Sequence, residues 1–99
     1  MIHVLAIITA KPGQRATLLR AFKTIVPTVH AEEGCIEYGP VVDVDSADPA
    51  FGPDTFVVVE KWETLAALEA HAMAPHMKAY GEKTKDLVAK RAVHVLTDA

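Results

Sequence analysis

Apolar and β-branched residues are concentrated in four short segments, each bounded by turn-forming or charged residues. Such segments are typical of β-strands. We therefore predict strands over residues 3–10, 35–44, 55–63 and 92–96. Side chains alternate between the two faces of a strand. In the third segment, alternation places Phe56, Val58, Glu60 and Trp62 on one face.

Between the first two predicted strands, apolar residues recur at helical spacing. Residues 14–33 therefore predict an amphipathic helix. Pro27 should kink or interrupt it, and Gly34 is suited to end it with a left-handed residue. The pair Gly39-Pro40 would allow a bulge or bend in the second strand.

A second helical region follows the third strand and is broken by a proline. Thr64 can cap a short helix over residues 65–72. Pro75 would end that helix and suits the first turn of the next one. Residues 45–54 are rich in turn formers and predict a solvated loop.

The element order is β-α-β-β-α-β, which predicts an α+β, ferredoxin-like fold with an antiparallel sheet. A chain of 99 residues suits one domain, over residues 1–99. The strands are apolar at consecutive positions, whereas a sheet with one wet face should alternate. Both faces should therefore be buried, and we predict a homodimer that packs sheet on sheet.

Composition excludes several classes of function. The net charge is −3, and no basic cluster alternates with aromatic residues, so we expect no nucleic-acid partner. No apolar run approaches the roughly 20 residues needed to span a membrane, and we expect a cytoplasmic protein. Cys35 is the sole cysteine, so no internal disulfide can form.

The stretch "EKWETLAALEAHAMAPHM" holds the candidate chemistry. Glu60 lies on the same strand face as Trp62, and burial there would raise its pKa; otherwise it forms a surface salt bridge. His71 ends one predicted helix and His76 begins the next, so the helix dipoles act on them oppositely. Such a pair could act as acid and base near neutral pH, unless one is a structural residue and the other is solvated.

These histidines do not fit a metal site at the level of sequence. Zinc proteases place two histidines on one face of a continuous helix. Here the spacing is five residues, Pro75 intervenes, and no third ligand is evident. We therefore predict no metal.

The segments "HVLAIITAKPGQRATLLRAF", "EEGCIEYGPVVD", "DTFVVVEKWETLAALEAH" and "APHMKAY" together resemble the antibiotic biosynthesis monooxygenase domain family, in its quinol monooxygenase branch. The resemblance covers nearly the whole chain. It implies a dimeric α+β barrel of ferredoxin-like protomers. It also implies oxidation of a hydroquinone or polyphenolic small aromatic with O2, without metal, flavin or haem.

The resemblance further implies a pocket between sheet and helices, with Trp62 on the sheet and His71 and His76 on the helical wall. Our hypothesis makes His71 the base, with Glu60 orienting its ring and His76 donating to the substrate oxygen. The remaining predicted pocket residues are Tyr38, Phe56, Met77 and Tyr80.

The same fold also hosts haem-degrading enzymes, isomerases and proteins without activity. The haem branch has a tryptophan where this chain has His71, and an axial histidine near Tyr80-Gly81, so the sequence argues against haem. A non-catalytic protein that binds small ligands, or a cofactor-free isomerase, remains the alternative.

Overall fold

The computed structural model describes all 99 residues and has the predicted order of elements. The elements are β1 (Ile2–Ala10), α1 (Arg15–His30), β2 (Cys35–Val41), β3 (Thr55–Trp62), α2 (Leu65–Met73), α3 (Pro75–Thr84) and β4 (Val88–Thr97). A short 3-10 helix, Lys85–Leu87, joins α3 to β4.

The four strands form one antiparallel sheet in the order β2-β3-β1-β4. The three helices pack on one side of it, and the other side has no helical cover. This is the predicted α+β, ferredoxin-like fold. None of the helices is both long and apolar enough to cross a membrane.

The core lies between α1 and the covered face of the sheet. Leu18, Phe22 and Val29 from α1 are buried there, as their helical spacing predicts. They meet Phe56 and Trp62 from β3, which are 1% and 0% exposed. The alternation predicted for residues 55–63 is therefore present, and it directs Glu60 into the same covered side.

Two predictions about α1 need correction. Pro27 does not interrupt the helix, which continues to His30. The missing amide of Pro27 frees only the carbonyl of residue 23, and both residues are on the exposed side, where water can bond that carbonyl. Gly34 does adopt a left-handed conformation, with φ 82°, but it forms the turn before β2 and lies beyond the helix end.

Strand boundaries differ as well. The irregularity in β2 falls between Cys35 and Glu37, whereas Gly39 and Pro40 pair regularly with β3. Pro40 is tolerated because β2 is an edge strand. β4 begins at Val88, four residues before the predicted start, because it pairs with the whole length of β1.

The face of the sheet without helices is apolar. Leu5 and Leu96 are 39% and 47% exposed, and strand register places both on this side. Ile7 is on the same side, paired with β3 on one edge and with β4 on the other. We refer to this surface as the open face. Its apolar side chains agree with the sequence pattern that led us to expect burial of both faces.

Candidate active site

A cavity of about 690 Å³ lies between the sheet and the α2–α3 region. Its volume falls in the range of small-molecule sites. The floor comes from alternate residues of neighbouring strands: Val4, Ala6 and Ile8 of β1, and Phe56, Val58 and Glu60 of β3. Of its 22 lining residues, 14 are hydrophobic, so a ligand here would be mostly apolar.

His71 is positioned at one end of this cavity by α2. The hydroxyl of Thr64 accepts a hydrogen bond from the amide of Ala67 at 3.1 Å and fixes the start of the helix. His71 is on the last turn and is only 6% exposed. Its ring packs against Trp62, with centroids 4.7 Å apart, and against Tyr38 at 5.3 Å. Aromatic packing therefore fixes the imidazole.

Glu32 joins the two histidines. One carboxylate oxygen, Oε2, lies 2.9 Å from Nδ1 of His71 and 2.9 Å from Nε2 of His76. The side chains become more exposed in the order His71, Glu32, His76, at 7%, 15% and 30%. The cluster therefore runs from the cavity wall towards solvent.

Glu32 also determines which nitrogen of His71 can act as a base. An ionised carboxylate only accepts hydrogen bonds, so Nδ1 of His71 carries a proton and Nε2 has the free lone pair. Every buried side-chain nitrogen and oxygen has a hydrogen-bond partner. Nε2 of His71 makes no such bond, so it is accessible. His71 lines the cavity, and its free nitrogen is available to a ligand there.

Glu60 also lines the cavity, but its contact is not the predicted one. Its Oε1 accepts a hydrogen bond from the indole N–H of Trp62 at 3.0 Å. The carboxylate that bonds Nδ1 of His71 is Glu32. Glu60 therefore does not make the contact to His71 that the predicted orienting role requires, and that prediction is wrong. Burial raises the pKa of Glu60, and the Trp62 hydrogen bond opposes that rise only in part.

Most of the predicted site residues meet at this cavity. Its lining includes His71, Glu60, Tyr38, Phe56, Met77 and Tyr80. Trp62 and His76 do not line it. Trp62 is 0% exposed and packs against His71, so it does not line the pocket as the resemblance implied. His76 contacts the site through Glu32.

Two tyrosines add polar atoms to the apolar wall. Burial raises the pKa of Tyr38 and of Tyr80 from the ordinary value of a phenol. A phenol is protonated at neutral pH even without this shift, so both tyrosines can donate a hydrogen bond to a ligand oxygen.

The cluster also bears on metal binding. Glu32, His71 and His76 each offer one ligand atom, and these atoms lie within 4.8 Å of one another. The sequence argument against metal rested on the five-residue spacing, the intervening Pro75 and the lack of a third ligand, and Glu32 removes the last of these. Two imidazoles and a carboxylate could hold a divalent transition metal.

The fold and the site together define a class: a ferredoxin-like protein with a largely apolar small-molecule pocket and a carboxylate-supported histidine. Residues 1–83 match the antibiotic biosynthesis monooxygenase family. The chain belongs to that family.

A curated relative supports this assignment, and solved structures share the fold. The chain is 44% identical, over 100 residues, to the probable quinol monooxygenase YgiN of Escherichia coli K12, covering 97% of this chain and 96% of that protein. The crystal structure of PA3566 from Pseudomonas aeruginosa superposes with a TM-score of 0.83 at 26% identity, covering 99% and 93% of the two chains. SO0527 from Shewanella oneidensis gives 0.82 at 26% identity, covering 96% and 87%.

Proposed function

We propose that the protein is a cofactor-independent monooxygenase that oxidises a hydroquinone or related polyphenol with O2. The observation that carries this proposal is the position of His71 between the Glu32 carboxylate and the cavity. Glu32 bonds its Nδ1 at 2.9 Å, while the ring lines an apolar cavity. Membership in the monooxygenase family and the similarity to YgiN support the reaction class.

In this mechanism, Nε2 of His71 accepts a proton from a substrate hydroxyl. The resulting imidazolium is stabilised by Glu32, as a buried carboxylate stabilises a catalytic histidine. His71 is also in the last turn of α2, where the helix carbonyls favour a positive charge. The other product of this step is an electron-rich hydroquinone anion.

The anion then reduces O2. One oxygen atom bonds to a ring carbon in place of hydrogen, and the other leaves as water, so hydroquinone and O2 become hydroxyquinone and water. All four electrons come from the substrate, two from the hydroquinone and two from the ring C–H bond. No external reductant is required. The apolar lining excludes bulk water from the anion.

Glu60 would act on the second substrate oxygen. Because burial raises the pKa of Glu60, a larger share of this carboxyl group carries a proton at neutral pH than in water. A protonated Glu60 can donate a hydrogen bond to the quinone oxygen that forms during oxidation.

The experiment is turnover of a hydroquinone under 18O2 with product mass spectrometry. We expect one labelled oxygen in the quinone.

His71→Ala should lower the rate by roughly 10²–10⁴, and His76→Ala should lower it less. His3→Ala is the control, because His3 pairs with Asp98 and does not line the cavity. A wild-type rate for His71→Ala would contradict the mechanism, and binding without turnover would favour the non-catalytic alternative.

A metal-assisted reaction is the second candidate, favoured by the convergence of Glu32, His71 and His76. Chelation separates the two. We expect protein that has been treated with EDTA, and shown by elemental analysis to be metal-free, to keep its rate. Loss of activity that a divalent metal restores would support the second candidate.

We also propose that two protomers pair through the open face. This proposal rests on the exposed apolar side chains of that face, such as Leu5 and Leu96, for which the chain has no helix to provide cover.

A further inference from the structure

The charged residues around the cavity are nearly all of one sign. Lys78, Lys85, Lys90 and Arg91 contribute to its lining, and Glu60 is the one carboxylate among the lining residues. The whole chain has a net charge of −3. The cavity is therefore a positive region on a protein whose net charge is negative. Its positive charge does not follow from the overall composition of the chain.

Most of these cations have no internal partner. Nζ of Lys85 lies 2.6 Å from Glu82. The salt bridges of the protein include none that involve Lys78, Lys90 or Arg91. Register places Lys90 opposite Thr9, so its side chain points to the open face. The charges of Lys78 and Arg91 thus remain available to a ligand in the cavity. The charge of Arg91 acts inside the cavity, because it lowers the pKa of Tyr80 and opposes the rise in the pKa of Glu60, although burial outweighs it at both residues.

The position of Arg91 is set by strand register. Arg91 pairs with Ile8 across β1, whereas Glu60 pairs with Val4 on the other side of β1. The two residues are thus four positions apart along β1, about 13 Å, and two strands apart, about 10 Å. Arg91 and Glu60 both line the cavity, so they mark opposite ends of it, with His71 near the Glu60 end.

We propose that the site takes an aromatic diol that carries a carboxylate, with a hydroxyl at His71 and the carboxylate directed towards Arg91. The proposal deepens the proposed function and rests on it for the hydroquinone half of the ligand. A guanidinium can bond both oxygens of a carboxylate. Lys78, which also lines the cavity, adds a positive charge that attracts an anion to the mouth.

A matched pair of ligands tests the proposal. The probes are 1,4-dihydroxy-2-naphthoate and 1,4-dihydroxynaphthalene, which differ by one carboxylate. Binding is measured without oxygen by quenching of the single tryptophan, Trp62, which packs against His71, and by calorimetry. We expect the wild type to bind the carboxylate about tenfold tighter or more, and added salt to reduce that preference.

Variants test whether the preference for the carboxylate probe depends on Arg91. Arg91→Met should abolish most of the tenfold difference, and Lys78→Met should reduce it. Arg20→Met is the matched control, because Arg20 is exposed on α1 and does not line the cavity. Circular dichroism establishes that each variant is folded. Equal affinity of the wild type for the two probes, no binding of either, or a preference unchanged in both Arg91→Met and Lys78→Met would overturn the proposal.

The binding assay tests the carboxylate preference independently of the proposed oxidation. Because binding is measured without oxygen, a preference for the carboxylate stands even if no oxidation follows in air, in which case only the proposed function fails. Oxidation of both probes in air, with no difference in their affinity, would retain the proposed function and reject the carboxylate.

Discussion

At the scale of single residues, the site depends on a carboxylate far away in sequence. Glu32 is 39 residues from His71 and 44 from His76, and it bonds both. Glu32 controls the tautomer of His71 and balances the charge that His71 would acquire. Its neighbour Glu33 is exposed and has no such contact, so the adjacent acid provides a natural control.

Glu32→Gln should reduce kcat for hydroquinone oxidation by roughly 10² or more. The amide cannot balance the imidazolium, and it can present either N–H or C=O to Nδ1, so the tautomer of His71 is no longer fixed. KM should change little, because Glu32 does not line the cavity. Steady-state kinetics measures both constants. Glu33→Gln should behave as wild type, and Glu32→Asp should recover part of the rate; an unchanged kcat in Glu32→Gln would exclude the positioning role.

The buried carboxyl group of Glu60 should make the free energy of unfolding depend on pH. Burial raises the pKa of Glu60 in the folded protein above its unfolded value. Ionising it therefore costs more in the folded state, and its contribution to stability is lost as pH rises through the folded pKa. Gln keeps a carbonyl for the Trp62 N–H but cannot ionise. Relative to wild type, Glu60→Gln should gain stability in urea unfolding as pH rises above the ordinary range of a carboxyl group; parallel curves would contradict the shift.

The sequence predicts those site residues whose position follows from alternation or helical spacing. Phe56, Glu60 and His71 line the cavity because a strand alternates and a helix repeats. Trp62 shares the strand face but lies beyond the cavity, under His71. Glu32 could not be assigned, because its contact depends on the pairing of Cys35 with Trp62, which brings the turn before β2 beside the start of α2.

At the scale of elements, the break between α2 and α3 forms the cluster. On one continuous helix, residues five apart point about 140° away from each other. Ala74 is extended, with φ −63° and ψ 139°, and Pro75 starts a new helix. The change of direction lets His76 approach the carboxylate that already bonds His71. The two helices and the break were predictable from Pro75, whereas the convergence required the relative placement of α1.

The turn that presents Glu32 is the second element on which the site depends. Gly34 has φ 82°, and a Cβ there would lie 2.6 Å from Cβ of Ala67 on α2. Gly34→Ala should therefore destabilise the fold by about 1–3 kcal/mol for the left-handed backbone, with a further cost for the clash.

Gly13 is the matched control for this change. It has a similar φ of 77°, but a Cβ there would have no neighbour within 4 Å. Gly13→Ala should cost less than Gly34→Ala in urea unfolding, and the difference measures the contact with α2. Equal costs would mean that α2 does not pack tightly on the turn.

At the scale of the whole molecule, the helices cover only one face of the sheet. If the open face pairs with a second copy, the interface should be in the obligate class, of roughly 2,000 Å² or more. Sedimentation velocity at micromolar concentration should then give a dimer. Leu96→Glu should dissociate it, because a carboxylate in an apolar interface is costly.

Met73→Glu is the control for dimerisation. Met73 is 66% exposed at the end of α2, on the helical side, so the same change of chemistry should leave the dimer intact. A stable folded monomer of the wild type would remove the basis for the pairing.

The two ends of the cavity differ in their relation to the family. The family match stops at residue 83, after His71 and Glu32 but before Lys85, Lys90 and Arg91, which line the far end. The family model therefore covers the residues of the histidine end and not those of β4. If Arg91 on β4 sets the preference for a carboxylate, exchanging β4 between relatives should change which ligand binds and leave the contact between Glu32 and His71 unaltered.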